Sequence, residues 1–240
     1  MKTLPFAALA LIFATVLLTA DGPKAVKVDV AQEKAGAESK HFLGVVGNWI
    51  VVKDGDRNVM LEDGREWKKG QPAGGLADKA REIYGSRHEE FLDNVKAFAY
   101  FPYSVAQGID DFRDGEISMK FKILGGDLDQ CAGILFNLKP NGDYLTVRFN
   151  GKEDNLVLWT FNKGVRKFVK RGEEEMPLAV KQWHSIRIAV HGTKLEGYLN
   201  DRKLIDYTLA DPVSGKVGFW SKTDSVIEYD DFTVAFAGAK

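Results

Sequence analysis

The 240-residue chain contains a single cysteine, Cys131, so no disulfide bond can form within it. Its stability must therefore come from packing, for which an apolar fraction of 45% provides enough side chains. Cys131 begins an apolar, strand-like run over residues 131–136, and no His–Asn or His–Asp pattern accompanies it. This context predicts a buried, inert thiol rather than a nucleophile.

An excess of positive charge is also missing, because the net charge is -1 and charges of both signs are interspersed. The sequence therefore lacks the basic footprint of a nucleic-acid-binding protein, and we expect no nucleic-acid partner. The four histidines do not occur at zinc-ligand spacing, and no Gly-x-Ser-x-Gly motif is present. These absences remove the common zinc and serine-hydrolase sites from consideration.

The first residues read as a targeting segment. A positive start at Met1-Lys2 is followed by an apolar run over residues 4–18, and the chain turns polar after Ala20. The run is short for a membrane span, so the pattern predicts a signal peptide at residues 1–20 and a secreted or periplasmic protein. No membrane span is then expected after signal cleavage; an uncleaved membrane anchor is the alternative.

From residue 114 onward, alternating runs recur about every 8–12 residues with turn signals between them, which is typical of an all-β sandwich or barrel. Residues 42–52 and 58–61 are predicted as earlier strands. Ser86 and Glu89 fit a capping box that predicts a helix over residues 87–97. We expect a mobile lead-in at residues 21–41, which contains one short strand over residues 26–30, and one domain over residues 42–236.

The second half resembles the concanavalin A-like lectin/glucanase (laminin-G-like) jelly rolls. More narrowly, it resembles an exported bacterial group labelled 3-keto-disaccharide hydrolase-like or glycoside-hydrolase-16-like. The resemblance implies a two-sheet antiparallel jelly roll with a concave face and a carbohydrate ligand. The segments that carry it are residues 129–134, 141–150, 153–158, 182–187 and 215–225.

A polar row indicates where a ligand would bind. Leu145, Val147 and Phe149 share one face of a predicted strand, so Arg148 and its even-numbered neighbours face the other way, into a predicted hollow. Planar polar side chains of this kind read sugar hydroxyls. The predicted ligand-binding residues, at positions where the resembled group has recurrent polar residues or an aromatic platform, are Asp129, Gln130, Arg148, Asn150, Asn155, Trp220 and Lys222. The alternative is a merely solvated face, with the tryptophans in the core.

Catalysis has weaker support, because the Glu-x-Asp-x-x-Glu pattern of family-16 glucanases is absent and only Glu228 and Asp230 approach it. The enzymatic alternative acts on 3-keto-disaccharides by elimination or hydrolysis. Asp154, Glu153 and Asp224 are then the candidate catalytic residues for proton transfer, with Arg148 or Lys222 stabilising negative charge. A structural or adhesive envelope module is a further alternative.

The apolar alternation of the last strand changes phase at Asp230-Asp231, which predicts a β-bulge. The resemblance implies a structural Ca²⁺ held by Asp230 and Asp231, since carboxylate oxygens suit this ion. The alternative is two solvated carboxylates at the edge of the sheet.

Overall fold

A computed structural model describes residues 25–94 and 101–238 of the chain. The predicted signal peptide at residues 1–20 and the end of the predicted helix, residues 95–97, lie outside these ranges. Within them, none of the helices is long and apolar enough to span a membrane.

The described residues form two short helices, α1 Leu76–Tyr84 and α2 His88–Asp93, and a larger set of strands. The strands are β1 Ala25–Val28, β2 Phe42–Val46, β3 Trp49–Asp54, β4 Arg57–Asp63, β5 Tyr103–Ala106, β6 Gly115–Gly125, β7 Cys131–Leu138, β8 Tyr144–Asn150, β9 Asn155–Asn162, β10 Val165–Arg171, β11 Trp183–His191, β12 Lys194–Leu199, β13 Arg202–Thr208, β14 Lys216–Ser221 and β15 Val226–Phe236.

The strands build two antiparallel sheets. Sheet A has the order β13-β12-β11-β6-β15-β4-β3, with β1 paired to β15, and sheet B has the order β10-β9-β8-β7-β14-β5-β2. All of the strand pairs in the described residues are antiparallel, and most neighbours in a sheet are not consecutive in the chain. The predicted all-β fold, a two-sheet antiparallel jelly-roll sandwich, is confirmed.

The core lies between the sheets and follows strand alternation. Phe121 of β6 and Phe149 of β8 meet across it with ring centroids 6.0 Å apart, and Leu145 and Val147 point the same way as Phe149. Fully burying one such side chain contributes about 1.5–3 kcal/mol, so these rows dominate the stability of the sandwich. The prediction that Leu145, Val147 and Phe149 share the buried face of β8 is therefore confirmed.

The N-terminal segment differs from the expected mobile lead-in. β1 pairs with β15 from Ala25↔Ala235 to Val28↔Phe232, and Val30 is only 3% exposed. The first half of β15 pairs with β4, and its second half pairs with β1. The β-bulge predicted between the two halves is confirmed by a register shift after Asp230. Residues 25–30 therefore belong to the sandwich.

The run predicted as one strand over residues 42–52 is two strands in different sheets. Gly47 has φ 96° and separates β2 of sheet B from β3 of sheet A. A Cβ at Gly47 would lie 2.7 Å from the Cβ of Pro102, so the crossing requires glycine both for its backbone angle and for space.

The helical insertion packs on the outer face of sheet B, the face turned away from sheet A. There it covers a second apolar group, here called the outer cluster. Its buried members are Leu43, Val45, Val46, Ala80, Ile83, Phe91, Tyr103, Val105, Cys131, Leu135, Leu138, Tyr144, Phe161 and Trp220. The insertion therefore closes much of the face that the sequence predicted to be an open hollow.

The insertion contains one more helix than predicted. The sequence analysis predicts no helix at α1, where Ala80 and Ile83 are buried at helical spacing. Ser86 lies in a 3-10 turn over Gly85–Arg87, and the residue that caps α2 is Arg87, which makes no side-chain capping bond. The predicted Ser86–Glu89 capping box does not form, because the turn carries Ser86 away from the helix start.

We predict that Gly218→Ala destabilises the fold by at least about 2 kcal/mol, within the range of overpacking in a closed core. Gly218 lies on β14 between β5 and β7, and an added Cβ would come 1.9 Å from the Ser104 carbonyl oxygen. Urea unfolding gives the measurement.

The control is Gly125→Ala at the end of β6, where an added Cβ meets nothing within 4 Å. Equal unfolding midpoints for the two variants would contradict the prediction.

Candidate functional site

Arg148 lies on the outer face of sheet B, opposite Val147 and Phe149, as the alternation of β8 predicted. It is not on an open surface, because the residue is only 3% exposed. Its guanidinium donates through Nη1 to the side-chain and backbone oxygens of Asn155, the latter at 3.3 Å, and through Nη2 to Glu153 Oε2 at 3.0 Å. The β8–β9 turn thus folds back to satisfy the cation of the strand that precedes it.

An aromatic side chain stands beside this cation. The guanidinium carbon of Arg148 lies 5.8 Å from the Trp159 ring centroid, and Trp159 lies opposite Thr146 in the β8–β9 ladder. Among the described residues, neither Trp159 Nε1 nor Thr146 Oγ1 has a hydrogen-bond partner, although both atoms are buried. The outer face therefore presents two unpaired donors next to Arg148.

A second network lies on the neighbouring strands. Asp129 accepts hydrogen bonds from Asn150 Nδ2 at 3.1 Å, Lys222 Nζ at 2.7 Å and Thr223 Oγ1 at 2.8 Å. Asn150 Oδ1 in turn accepts from the backbone amide of Gln130 at 3.3 Å. Three separate stretches of chain, at residues 129–130, 150 and 222–223, thus meet at one carboxylate.

Cys131 joins the two networks. The thiol is fully buried, and burial raises its pKa to about 12 despite the nearby cationic Arg148 and Lys222. It is therefore a neutral thiol at physiological pH, as the sequence predicted, and acts as packing between the networks. We call the residues of both networks the Arg148 cluster; they are Asp129, Cys131, Arg148, Asn150, Glu153, Asn155, Lys222 and Thr223.

Two predicted ligand-binding residues have other positions. Trp220 is 1% exposed, its indole donates to Tyr144 Oη at 3.2 Å, and Phe101 stacks on it at 5.4 Å. It belongs to the outer cluster and has no surface for a sugar, which corrects the prediction of an aromatic platform there. Gln130 is partly exposed, and its side chain donates to the Gly126 carbonyl at 3.1 Å, so it borders the Arg148 cluster.

The three candidate catalytic carboxylates differ in their surroundings. Partial burial favours the neutral form of Glu153, but the charge of Arg148 and the hydrogen bonds from Asn155 and Arg148 together outweigh it and hold the pKa of Glu153 below its usual value. Asp154 is a turn residue with φ 49° whose backbone oxygen accepts from Met176 at 2.7 Å.

Asp224 accepts from the backbone amides of residues 127, 128 and 129 at 2.7–3.2 Å. Partial burial opposes ionisation of Asp224, but these amides outweigh it and lower its pKa. Asp224 therefore organises the loop before β7, and its carboxylate is committed to that loop.

A buried acid that the sequence reading missed is Glu62 of β4. It is 0% exposed, and burial raises its pKa well above the usual value, which favours the neutral carboxyl. The nearby Ser221 hydroxyl donates to the Cys131 carbonyl at 3.0 Å. The sequence signal was a glutamate in phase with Met60, a core residue of the same strand. Glu62 lies inside the sandwich, on the opposite side of sheet A from solvent.

The residues around Asp230 and Asp231 do not fit the calcium site that the resemblance implied. Asp231 pairs with Lys27 at 2.7 Å and Lys120 at 2.8 Å, and Arg57 pairs with Asp230. A cation would have to displace three basic side chains. No group of three or more His, Cys, Asp or Glu side chains that could hold a metal lies within residues 25–94 and 101–238.

Comparisons with known proteins address the fold. No protein-family model matches the sequence. No curated protein matches it. Among solved structures, the carbohydrate-binding module CBM66 from Bacillus subtilis is similar at 12% identity and a TM-score of 0.57, covering 84% of this chain and 100% of that one.

A protein of unknown function with a galectin-like fold, also from Bacillus subtilis, covers 86% of this chain and 99% of its own at 12% identity and a TM-score of 0.52. A structure described as a native glycosidic hydrolase covers 90% and 96% at 11% identity and a TM-score of 0.50. Identities this low show the fold alone, so the chain shares the jelly-roll fold of these structures.

We predict that stability falls as the pH drops from about 4 to 2, and that Asp231→Asn removes part of this fall. Partial burial raises the pKa of Asp231, but hydrogen bonds from Lys120 and Lys27 lower it to about 2. A depressed pKa adds stability above the unfolded value of 3.8, and that stability is lost on acidification towards 2.

The expected contribution of Asp231 is about 1–2 kcal/mol, allowing for partial screening. Urea unfolding of both proteins across this pH range gives the measurement. Parallel stability curves for the variant and the parent would contradict the assignment. A melting midpoint raised by calcium and lowered by chelator would restore the metal site.

Proposed function

We propose that the chain is an exported carbohydrate-binding module that holds a sugar at the Arg148 cluster. Export is supported by the apolar segment of residues 4–18, followed by a polar stretch. Binding is supported by a nearly buried guanidinium on the outer face of a sheet, beside an aromatic ring and buried donors without partners. That last observation carries the proposal.

The chemistry of the cluster suits sugar hydroxyls. Donors and acceptors alternate over a small area: the guanidinium of Arg148 and the amine of Lys222 donate, and the carboxylates of Glu153 and Asp129 accept. A hydroxyl group both donates and accepts, so a pair of adjacent hydroxyls matches such an alternating set. Trp159, partly exposed, can pack against the apolar face of a sugar ring.

The geometry also makes the cluster rigid. Arg148, Asn150 and Asn155 are each no more than 3% exposed, and each is fixed by at least one hydrogen bond within the cluster. Side chains that are already ordered lose little conformational entropy when a ligand binds. Binding can thus be selective even where the accessible area is small.

The structural neighbours are consistent with this proposal, since they include a carbohydrate-binding module and a glycosidic hydrolase. They favour a sugar ligand in general and do not distinguish binding from turnover. The acid–base properties of the cluster favour binding, because general acid catalysis needs a protonated carboxyl near a second carboxylate. The pKa values of Glu153 and Asp224 are instead lowered.

One observation favours the enzymatic alternative. Glu153 is ionised and its side chain is 45% exposed, so it can accept a proton while Arg148 stabilises negative charge 3.0 Å away. Such a pair fits proton abstraction next to the carbonyl of a 3-keto-disaccharide. Turnover of a 3-keto-glucoside, lost in Glu153→Gln, would favour the enzyme over the binding module.

We predict that Arg148→Ala abolishes binding of a glycan that the parent protein captures on a glycan array. The change removes the donors to Glu153 and Asn155 and uncovers one edge of Trp159. An affinity loss of at least about tenfold, roughly 1.4 kcal/mol, is expected in calorimetric titration with the array hit.

Arg187→Ala is the matched control. Arg187 lies in sheet A, bonds Glu116 at 2.8 Å and stacks 3.7 Å from the Tyr198 centroid, so it repeats the same type of contacts on the other sheet. Equal affinity losses in the two variants, with both proteins folded by circular dichroism, would contradict the proposal. Failure to bind any glycan, together with a stable oligomer, would instead favour a structural or adhesive module.

A further inference from the structure

The edge strand of sheet B is strongly basic. β10 and the turn before it read Lys163-Gly-Val-Arg-Lys-Phe-Val-Lys-Arg171, with five cations and no acidic residue, in a chain whose net charge is -1. Among the strands of residues 25–94 and 101–238, β10 pairs only with β9, so one side of β10 is not covered there by a neighbour in the sheet. The positive charge is therefore concentrated on a single exposed edge.

Only part of this charge is neutralised within the protein. Arg171 pairs with Glu175 at 2.8 Å, and Lys170 lies close enough to Asp206 to help lower the pKa of that carboxyl. In residues 25–94 and 101–238, Lys163, Arg166 and Lys167 have no carboxylate within ion-pair distance, and the latter two are exposed. At least three cations are thus available to an external anion.

Arg166 is the best positioned of the three. Its guanidinium carbon lies 4.4 Å from the Trp159 ring centroid and 5.3 Å from that of Phe101. Contact with two rings orders the guanidinium, and a stacked guanidinium keeps its in-plane N–H groups free to donate. Such a planar pair of donors matches the two oxygens of a carboxylate.

Trp159 connects this edge to the Arg148 cluster. Arg148 and Arg166 both contact its ring, but Glu153 neutralises only Arg148. The unpaired donors of Trp159 and Thr146 lie between the two cations in the β8–β9 ladder. A ligand that reaches from the cluster to the edge would therefore meet an unneutralised positive charge.

An aromatic side chain on the same face of the strand completes the surface. Phe168 is 59% exposed and packs edge-on against Trp159 at 5.7 Å. Exposed aromatic rings pack against the apolar faces of sugar rings, whereas a purely ionic partner would not use them. From Arg166 to Arg171 the strand extends roughly 17 Å at about 3.3 Å per residue, longer than a single sugar.

We propose that β10 extends the sugar site and selects a carboxylated glycan, a chain of uronic-acid units, with Arg166 as the carboxylate receptor. This inference rests on the proposed function, because it adds a charge preference to the same outer face. Lys163 and Lys167 then contribute attraction that depends on salt.

The experiment compares a short oligogalacturonate with its methyl ester, which has the same backbone without the charge. The parent protein is expected to bind the acid at least about tenfold more tightly than the ester, and the advantage shrinks as salt rises. Arg166→Gln should remove that advantage, so that the variant binds the acid and the ester equally. Arg166→Lys should retain the salt dependence but recover only part of the affinity, since it lacks the planar donor pair.

Arg81→Gln is the matched control, because it removes one exposed guanidinium from α1, where Arg81 pairs with Asp78. Equal affinity losses in the Arg81 and Arg166 variants would overturn the proposal. So would a sulfated oligosaccharide or a single-stranded oligonucleotide that binds as tightly as oligogalacturonate, or a dimer of this chain that Arg166→Gln dissociates. Ester binding without any gain for the acid would reject only the charge preference, and so would failure to bind either compound in a protein that captures another glycan on the array. Failure to bind any glycan would also reject the proposed function.

Discussion

The burial of one guanidinium, that of Arg148, constrains the polar end of sheet B. A cation removed from water is very costly unless charged or polar partners replace its hydration. Arg148 obtains those partners from the turn immediately after its own strand, through Glu153 and Asn155. The turn is thus ordered by the strand it follows, and the position of β9 depends on a charge rather than on apolar packing alone.

The same constraint explains why the neighbouring side chains are polar. Asp129 offsets the positive charge of Lys222 and also fixes Asn150, while Asp224 holds the backbone amides of the loop that delivers Asp129. A buried carboxylate of this kind is tolerated only when several donors satisfy it. The result is a small, ordered polar area next to a large apolar one.

The apolar area determines where a ligand can reach the sheet. The insertion with α1 and α2 covers the outer cluster, including Trp220 and Tyr144, so the end with Arg148, Lys222 and Glu153 is left at its border. The helical insertion therefore determines which part of the outer face remains accessible to a ligand. Trp159, at the boundary of the two areas, contacts arginines from β8 and β10.

The sandwich, and the set of β8 side chains that face its core, could be predicted from the sequence, because the alternation of apolar and polar residues shows which side chains share a face of a strand. It also located the bulge after Asp230, where that alternation changes phase. It could not show what lies on the second face, because the cover depends on contacts distant in sequence: Phe101 stacks on Trp220, and α1 packs in the same outer cluster. For the same reason the sequence could not show that the Asp224 carboxylate is already bonded, because the amides that donate to it lie more than ninety residues earlier.

The acid–base properties of the carboxyl groups distinguish a sugar-binding site from a hydrolytic one. Hydrolysis of a glycosidic bond needs one neutral and one ionised carboxyl group flanking the bond. Glu62 has a strongly raised pKa, but it lies inside the sandwich at 0% exposure, whereas Glu153 has a lowered pKa and lies on the outer face of sheet B. The neutral acid and the accessible carboxylate are thus in different parts of the fold. Within residues 25–94 and 101–238, this separation supports the proposed sugar binding over hydrolysis.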